Sequence, residues 1–218
     1  GTHTPKQLKL DTAHDKIYWC DREGMRVMRA NTDGSGIETL VTTAPSSASS
    51  DMSNWPVGIA LDLAGGKIYW TQKGAGPTGS TGQGSIRRAG LEIPAGQDST
   101  TRTDIEVLFS SLPEPIDLDV DLGKRQIYWT DRGDGTVSRA PMDPPSGFDA
   151  GARSDRQILV HGAGQAIGIA LDLANDVMYY TALDTQTVSV AHLDGSGARS
   201  LVKGQGVLSG ITLVEVPK

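Results

Sequence analysis

Few side chains in this 218-residue sequence are of types that do chemistry unaided, and their spacing limits what that chemistry is. The four histidines, His3, His14, His161 and His192, show neither zinc-ligand nor triad spacing. His161, just before Gly162-Ala163-Gly164, is the histidine best suited to proton transfer near neutral pH, and Lys73 is the other weak candidate for a catalytic base. Cys20 is the only cysteine, so no disulfide forms within the chain and no closed Cys/His zinc site is expected; it reads as a small half-buried strand residue. Gly74 to Gly79 fits G-x-G-x-x-G, but it carries Pro77 and opens no helix whose N-terminus would hold a pyrophosphate. The Asp-x-Gly turns lack the alternating oxygens and closing Glu of a calcium loop. No cofactor and no metal are expected.

What remains is a set of polar and aromatic residues suited to binding, and an internal repeat must position them. Four segments align on an aromatic pair: Lys16-Ile17-Tyr18-Trp19, Lys67-Ile68-Tyr69-Trp70, Gln126-Ile127-Tyr128-Trp129 and Val177-Met178-Tyr179-Tyr180. An aspartate, Asp11, Asp62, Asp121 or Asp172, stands seven residues before each tyrosine. In three repeats an alanine, Ala30, Ala140 or Ala191, follows twelve residues after the tyrosine, with an acid three beyond it; the second has the same marks at Ala89 and Glu92. In three repeats the two acids are 22 residues apart; in the second they are 30 apart, with the extra residues in the Gly/Thr/Ser-rich stretch Lys73 to Gly84. Within each repeat, short runs of alternating polarity are split by Asp/Gly turns, which predicts four strands of about five residues joined as hairpins. Four strands repeated radially make a propeller blade. The expected fold is therefore all-β, a single β-propeller domain over 1–218, with repeats near 6–44, 56–112, 115–162 and 166–204 and an extra C-terminal strand at 210–216.

These residues resemble the YWTD, or low-density-lipoprotein-receptor class B, repeat family. The likeness runs through Gly58-Ile59-Ala60-Leu61-Asp62, Ile68-Tyr69-Trp70-Thr71 and Gly168-Ile169-Ala170-Leu171-Asp172, and is nearest to the signature at Ile127-Tyr128-Trp129-Thr130-Asp131. The resemblance implies a propeller whose motif aromatics fill the space between adjacent blades. Two departures stand out. The motif's final Asp, kept as Asp21 and Asp131, is replaced by Gln72 and Ala182, and four repeats are present where the family closes its ring with six. One compact four-blade ring is expected, with the last strand closing it or pairing a homo-oligomer through an open edge. The long inserts Ile93 to Thr103 and Pro144 to Arg156 read as flexible loops on the outer face.

In such a fold the connections before each inner strand and after each motif share the face around the channel mouth, where ligands bind by analogy with the architecture. That places Asp21, Arg22, Gln72, Lys73, Asp131 and Arg132 there, with Asn54, Trp55, Glu114 and Gln165 from the connections before the inner strands. Trp55, outside the repeat's aromatic positions, offers a flat apolar surface.

The net charge of −6 and the absence of a Lys/Arg-rich run exclude a phosphate backbone as partner, and no apolar stretch nears the roughly 20 residues of a membrane helix. The sequence reads as soluble, with an intracellular setting mildly favoured by the single cysteine. Three functions fit. The first is a module binding a small organic molecule or peptide at the mouth. The second is a cofactor-free enzyme in the same pocket, a lyase or a cyclase; the repeat architecture is similar to the propellers of some fungal hetero-Diels-Alderases, which implies catalysis by orientation rather than by a nucleophile. The third is a protein-interaction scaffold.

Overall fold

Four times along the chain the aspartate and the aromatic pair fall on neighbouring strands, and each time the segment folds into a four-stranded antiparallel sheet with its strands in sequence order. The first comprises β1 (Pro5–Asp11), β2 (Lys16–Asp21), β3 (Arg26–Asn31) and β4 (Glu38–Thr42). The second comprises β5 (Pro56–Asp62), β6 (Lys67–Gln72), β7 (Gly84–Gly90) and β8 (Glu106–Leu112). The third comprises β9 (Pro115–Asp121), β10 (Gln126–Asp131), β11 (Thr136–Pro141) and β12 (Gln157–Val160). The fourth comprises β13 (Ala166–Asp172), β14 (Val177–Ala182), β15 (Thr187–His192) and β16 (Arg199–Val202). The sheets are the blades of a β-propeller, with β1, β5, β9 and β13 innermost. This computed structural model describes residues 1–74 and 82–214. Most of the second repeat's insertion and of the G-x-G-x-x-G segment, together with Glu215 and Val216, lies outside the described residues.

The repeated aspartate is a local turn device. Oδ1 of Asp11, Asp62, Asp121 and Asp172 accepts the backbone N–H three residues on, from His14, Gly65, Lys124 and Asn175, at 3.1, 2.7, 2.9 and 3.1 Å. Each bond closes the turn between the first two strands of its blade.

The aromatic pair then splits its duties between two interfaces. Tyr18 of the first blade packs with Ile59, Ile68 and Trp70 of the second. Tyr69 packs with Leu118, Ile127 and Trp129 of the third, and Tyr128 with Ile169, Met178 and Tyr180 of the fourth. At each of these three boundaries the tyrosine of one blade thus meets the second aromatic of the next, since neighbours on a strand face opposite sides. Trp70, Trp129, Tyr69 and Tyr128 are fully buried.

Motif threonines tie the blades together at the channel. Every inner strand carries an irregularity near its start, which takes one N–H off the ladder. Thr71, Thr130 and Thr181 accept that N–H through Oγ1, from Gly58, Asp117 and Gly168 at 2.9, 3.2 and 2.9 Å. Thr71 in turn donates to the Ile116 carbonyl and Thr130 to the Ile167 carbonyl, both on the next inner strand at 2.7 Å. In the first blade, the Cys20 thiol donates to the Gly58 carbonyl at 3.4 Å. Backbones approach so closely here that a Cβ at Gly58 would lie 2.6 Å from the Ile116 oxygen.

Two expectations need correction. The inserts between the third and fourth strands of the second and third blades are clasps across blade boundaries rather than free loops. Arg102 is buried and donates to the carbonyls of Leu40 and Gly90, both at 2.8 Å, while pairing with Asp104. Arg153 repeats the arrangement with Leu108, Pro141 and Asp155, and its guanidinium lies 4.0 Å over the Phe109 ring. Fixed carbonyls on a preceding blade, met by a charged donor, give these segments a set position.

The second correction concerns closure. No strand forms over residues 203–214, where Gly204 and Gly206 take positive φ of 69° and 76°. Instead this stretch lies between β13 and β1, with the Ile211 nitrogen beside Gly168 and Gly210 beside Gln7. Among the described residues, β13 and β1 do not pack on each other as β1 and β5, β5 and β9, or β9 and β13 do. The first blade's outer flank shows the result: Leu8 and Leu10, at the places of Ile59 and Leu61, are 56% and 54% exposed. On the fourth blade Leu201 and Val202 are each 44% exposed.

Thr71→Val keeps the side chain's shape and strips partners from two buried backbone groups, so it is expected to cost about 2–4 kcal/mol in urea unfolding. Thr181→Val, with no following blade to serve, is expected to cost about half as much. Equal losses would refute the blade-to-blade role of the hydroxyl.

Candidate functional site

At one end of the channel, matching positions from all four blades converge on a cavity of about 320 Å³. The inner ring is Lys6, Val57, Ile116 and Ile167, each five residues before its blade's aspartate. The outer ring is Arg22, Lys73, Arg132 and Leu183, each eleven residues after it. Gln7 and, from the C-terminal stretch, Val207, Leu208 and Ser209 complete the wall. The outer ring is held by a repeated backbone bond. The N–H groups of Arg22, Lys73, Arg132 and Leu183 donate to the carbonyls of Thr4, Trp55, Glu114 and Gln165 at 3.0, 2.9, 2.9 and 2.9 Å. Ladder geometry alone therefore sets where these side chains begin.

Charge at the mouth is unbalanced. Glu114, 2% exposed, takes Lys73 at 2.9 Å and Arg132 at 3.2 Å. Arg132 also donates Nε to Gln165 at 2.9 Å. Arg22 binds the neighbouring Glu23 carboxylate and lies 4.8 Å over the Trp55 ring, with the Lys73 ammonium 5.5 Å from the same ring. Lys6 has no hydrogen-bond or ion-pair partner among the described residues. Burial first, then the nearby Arg22, with a smaller contribution from Lys73, hold its ammonium below the ordinary lysine range, and Glu23 offsets part of this. Farther along the inner strands Lys9 reaches Asp119 across the channel at 3.0 Å.

The residues expected at the mouth divide into three groups. Arg22, Lys73 and Arg132 line the cavity. Trp55, Glu114 and Gln165 stand behind them and fix their positions; the Trp55 indole N–H is itself held by the Ser49 carbonyl at 2.9 Å. Asp21, Gln72, Asp131 and Asn54 serve the backbone. Asp21 accepts the N–H groups of His3 and Thr4 and pairs with Arg26; Gln72 donates to the Ser53 carbonyl at 2.9 Å; the Asn54 carbonyl accepts the Thr43 hydroxyl. Where the motif's final Asp is missing from the fourth blade, Asp184 accepts the Gln165 N–H at 2.8 Å, which explains how Ala182 is tolerated.

Of the two base candidates, Lys73 is at the mouth and paired. His161 is exposed in a separate groove of about 380 Å³ beside Thr187, Arg199 and Lys203, away from the channel. Sequence reasoning missed Lys6, Val57, Ile116 and Ile167. The signal was present, because all four share one place relative to the repeated aspartate. Among the described residues no group of three His, Cys, Asp or Glu side chains gathers as a metal would require.

Two carboxyls beneath the mouth are perturbed. Asp117, buried on β9, is raised to about 7, by desolvation above all, although it accepts the Leu118 and Ile169 N–H groups. Asp131 is raised to about 6 by desolvation and then by Asp134. Its Oδ1 collects the N–H groups of Glu114, Gly133 and Asp134, while its Oδ2 is buried with no partner among the described residues. Cys20 is wholly buried, and that burial, with Asp117 and Asp21 nearby, pushes its thiol well up and leaves it inert.

No family model matches the chain. It is 39% identical over 223 residues to a protein of Pyricularia oryzae named low-density lipoprotein receptor-related protein 1, covering 98% of this chain and 69% of that one. It is 37% identical over 212 residues to the 3-hydroxyacyl-CoA dehydrogenase-like protein LAM1 of Cochliobolus heterostrophus, covering 92% of this chain but only 43% of the relative. Among solved structures, a chain of the nidogen/laminin complex superposes with a TM-score of 0.69 at 22% identity, over 97% of this chain and 68% of that chain. That likeness establishes the fold alone.

Asp131 carries a test of pH dependence. A carboxyl whose folded value lies above its unfolded one favours folding most when protonated, so its contribution is full below about 4 and lost as pH rises through about 6. Asp131→Asn keeps the Oδ1 acceptor and removes the charge. Urea unfolding at pH 5 and pH 8 should show the wild type losing about 1–3 kcal/mol more than the variant between the two. Parallel losses would assign the pH response to other groups.

Proposed function

The chain belongs to the YWTD-repeat β-propeller family, and from that premise we propose that its channel mouth binds a small organic molecule. The observation that carries this reading is the cavity itself, about 320 Å³, walled by equivalent positions of all four blades. That volume is at the lower end of the range for sites that enclose small ligands. The wall alternates aliphatic side chains with cations whose carriers are fixed from behind, so a bound molecule meets a preorganised surface. Among the described residues no helix is long and apolar enough to cross a membrane.

A cofactor-free enzyme working in the same cavity is the second reading. Fixed cations over an apolar floor are suited to stabilising an oxyanion as it develops in a substrate held on that floor. One relative is named for a receptor and the other for a dehydrogenase, so the names do not separate binding from catalysis.

Thermal unfolding across a library of apolar, oxygen-bearing compounds and short peptides tests the site. A true ligand at about 100 times its Kd is expected to stabilise the protein by about 2.7 kcal/mol. Ile116→Trp and Leu183→Trp, which fill the cavity from two different rings, are expected to abolish that gain; mass spectrometry of the incubated hits then distinguishes binding from turnover. A library without a hit, or hits that survive both substitutions, would move the function to the outer surfaces.

A further inference from the structure

The chemical class of ligand can be read from what the mouth leaves unsatisfied; this rests on the proposed binding role of the cavity. Four cations border it, Lys6, Arg22, Lys73 and Arg132, against two carboxylates, Glu23 and Glu114. Glu114 is shared by Lys73 and Arg132, so one negative charge answers two positive ones. Lys6 has no ion-pair partner of its own among the described residues, and Glu23, already bound to Arg22, offsets it only in part.

The donors lead to the same conclusion. Arg22 uses Nε and Nη2 on Glu23, and Arg132 uses Nε on Gln165 and Nη1 on Glu114. Arg22 Nη1, Arg132 Nη2 and the Lys6 ammonium are left without partners among the described residues. Trp55 beneath Arg22 and Lys73 restrains where these charges sit, which makes them a site rather than a solvated rim. Between them the wall is apolar, made of Val57, Ile116, Ile167, Leu183 and Leu208.

We propose that the mouth selects small acids, compounds with a carboxylate carried on an aliphatic skeleton, whose charge is received by Lys6, Arg22 and Arg132 while the skeleton lies on the aliphatic ring. Both halves are needed. A bare anion gains little from apolar walls, and a neutral hydrocarbon leaves three donors and an uncompensated charge facing it. A cavity of this volume admits such a molecule whole.

Matched probes of one chain length test the assignment by isothermal titration calorimetry: octanoate, 1-octanol and octylammonium, with acetate as the headgroup alone. Octanoate is expected to bind at least about tenfold more tightly than octanol, with octylammonium and acetate showing no saturable binding. Lys6→Gln and Arg22→Gln are each expected to weaken octanoate about tenfold and to leave octanol unchanged, with melting temperatures confirming that the variants fold. Octanol binding as tightly as octanoate, both variants retaining full octanoate affinity, or no binding by any of the octyl probes would each overturn the proposal. If a neutral library compound still binds and is excluded by Ile116→Trp, the acid assignment falls while the binding role stands; if nothing binds at the mouth, the binding role falls with it.

Discussion

The structure depends on one side-chain proton donor per blade, a threonine hydroxyl in three blades and the Cys20 thiol in the first. An irregularity at the start of each inner strand removes a backbone N–H from its ladder at a place where four strands crowd around a channel and water has little access. An unmet N–H there would cost about as much as a large fraction of a small domain's stability margin. The motif threonine meets it and passes its own proton to the next blade's carbonyl, as in the chains from Gly58 through Thr71 to Ile116 and from Asp117 through Thr130 to Ile167. The same atom thereby repairs a strand and spaces two blades. Glycine at 58 follows from the closeness this produces, and Cys20 can stand in because a thiol still has a proton to give.

Once blade spacing is fixed at the channel, the aromatics settle the rest of each interface. A strand turns alternate side chains to opposite faces, so adjacent residues Tyr69 and Trp70 must serve different neighbours, and a blade becomes a double-sided part with unlike faces. Such a part extends in one direction until something stops it. Here the first blade ends in Leu8, Leu10, Ile17 and Trp19 with no tyrosine-bearing face against them, and residues 207–212 lie where that face would be. The exposure of Leu8 and Leu10 is the cost of interrupting a pattern whose every internal boundary is filled.

The blades were legible in the sequence because their determinants are local and periodic: an aspartate that closes a turn, a tyrosine and a second aromatic on opposite faces, a threonine at the strand's end. Closure was not legible. It depends on how twelve glycine-containing residues after Val202 travel, and nothing periodic constrains them. The inserts misled for the opposite reason. Ser, Gly and Pro around Arg102 and Arg153 give the composition of a mobile loop, whereas one buried guanidinium on fixed carbonyls outweighs that composition. At the mouth, Arg22, Lys73 and Arg132 were found because they follow the motif directly. Asp21 and Asp131 end the motif itself and proved to be supports, since each spends a carboxylate oxygen on backbone N–H groups rather than facing the cavity.

Repetition also explains how the side chains at the mouth can vary without endangering the fold. The outer ring takes its position from a main-chain bond, the N–H of residue 22, 73, 132 or 183 to the carbonyl of residue 4, 55, 114 or 165, and that bond is indifferent to the side chain it carries. Three blades place a cation there and the fourth a leucine; in the inner ring three place an aliphatic residue and the first a lysine. Each ring therefore breaks its own symmetry once. The apolar exception in the charged ring and the charged exception in the apolar ring belong to the fourth and first blades, which flank the open side of the ring. The second and third blades present like pairs, an aliphatic residue and a cation, so it is the first and fourth that make one orientation of the nearly fourfold frame distinguishable from its rotations, which is what the proposed binding role would need.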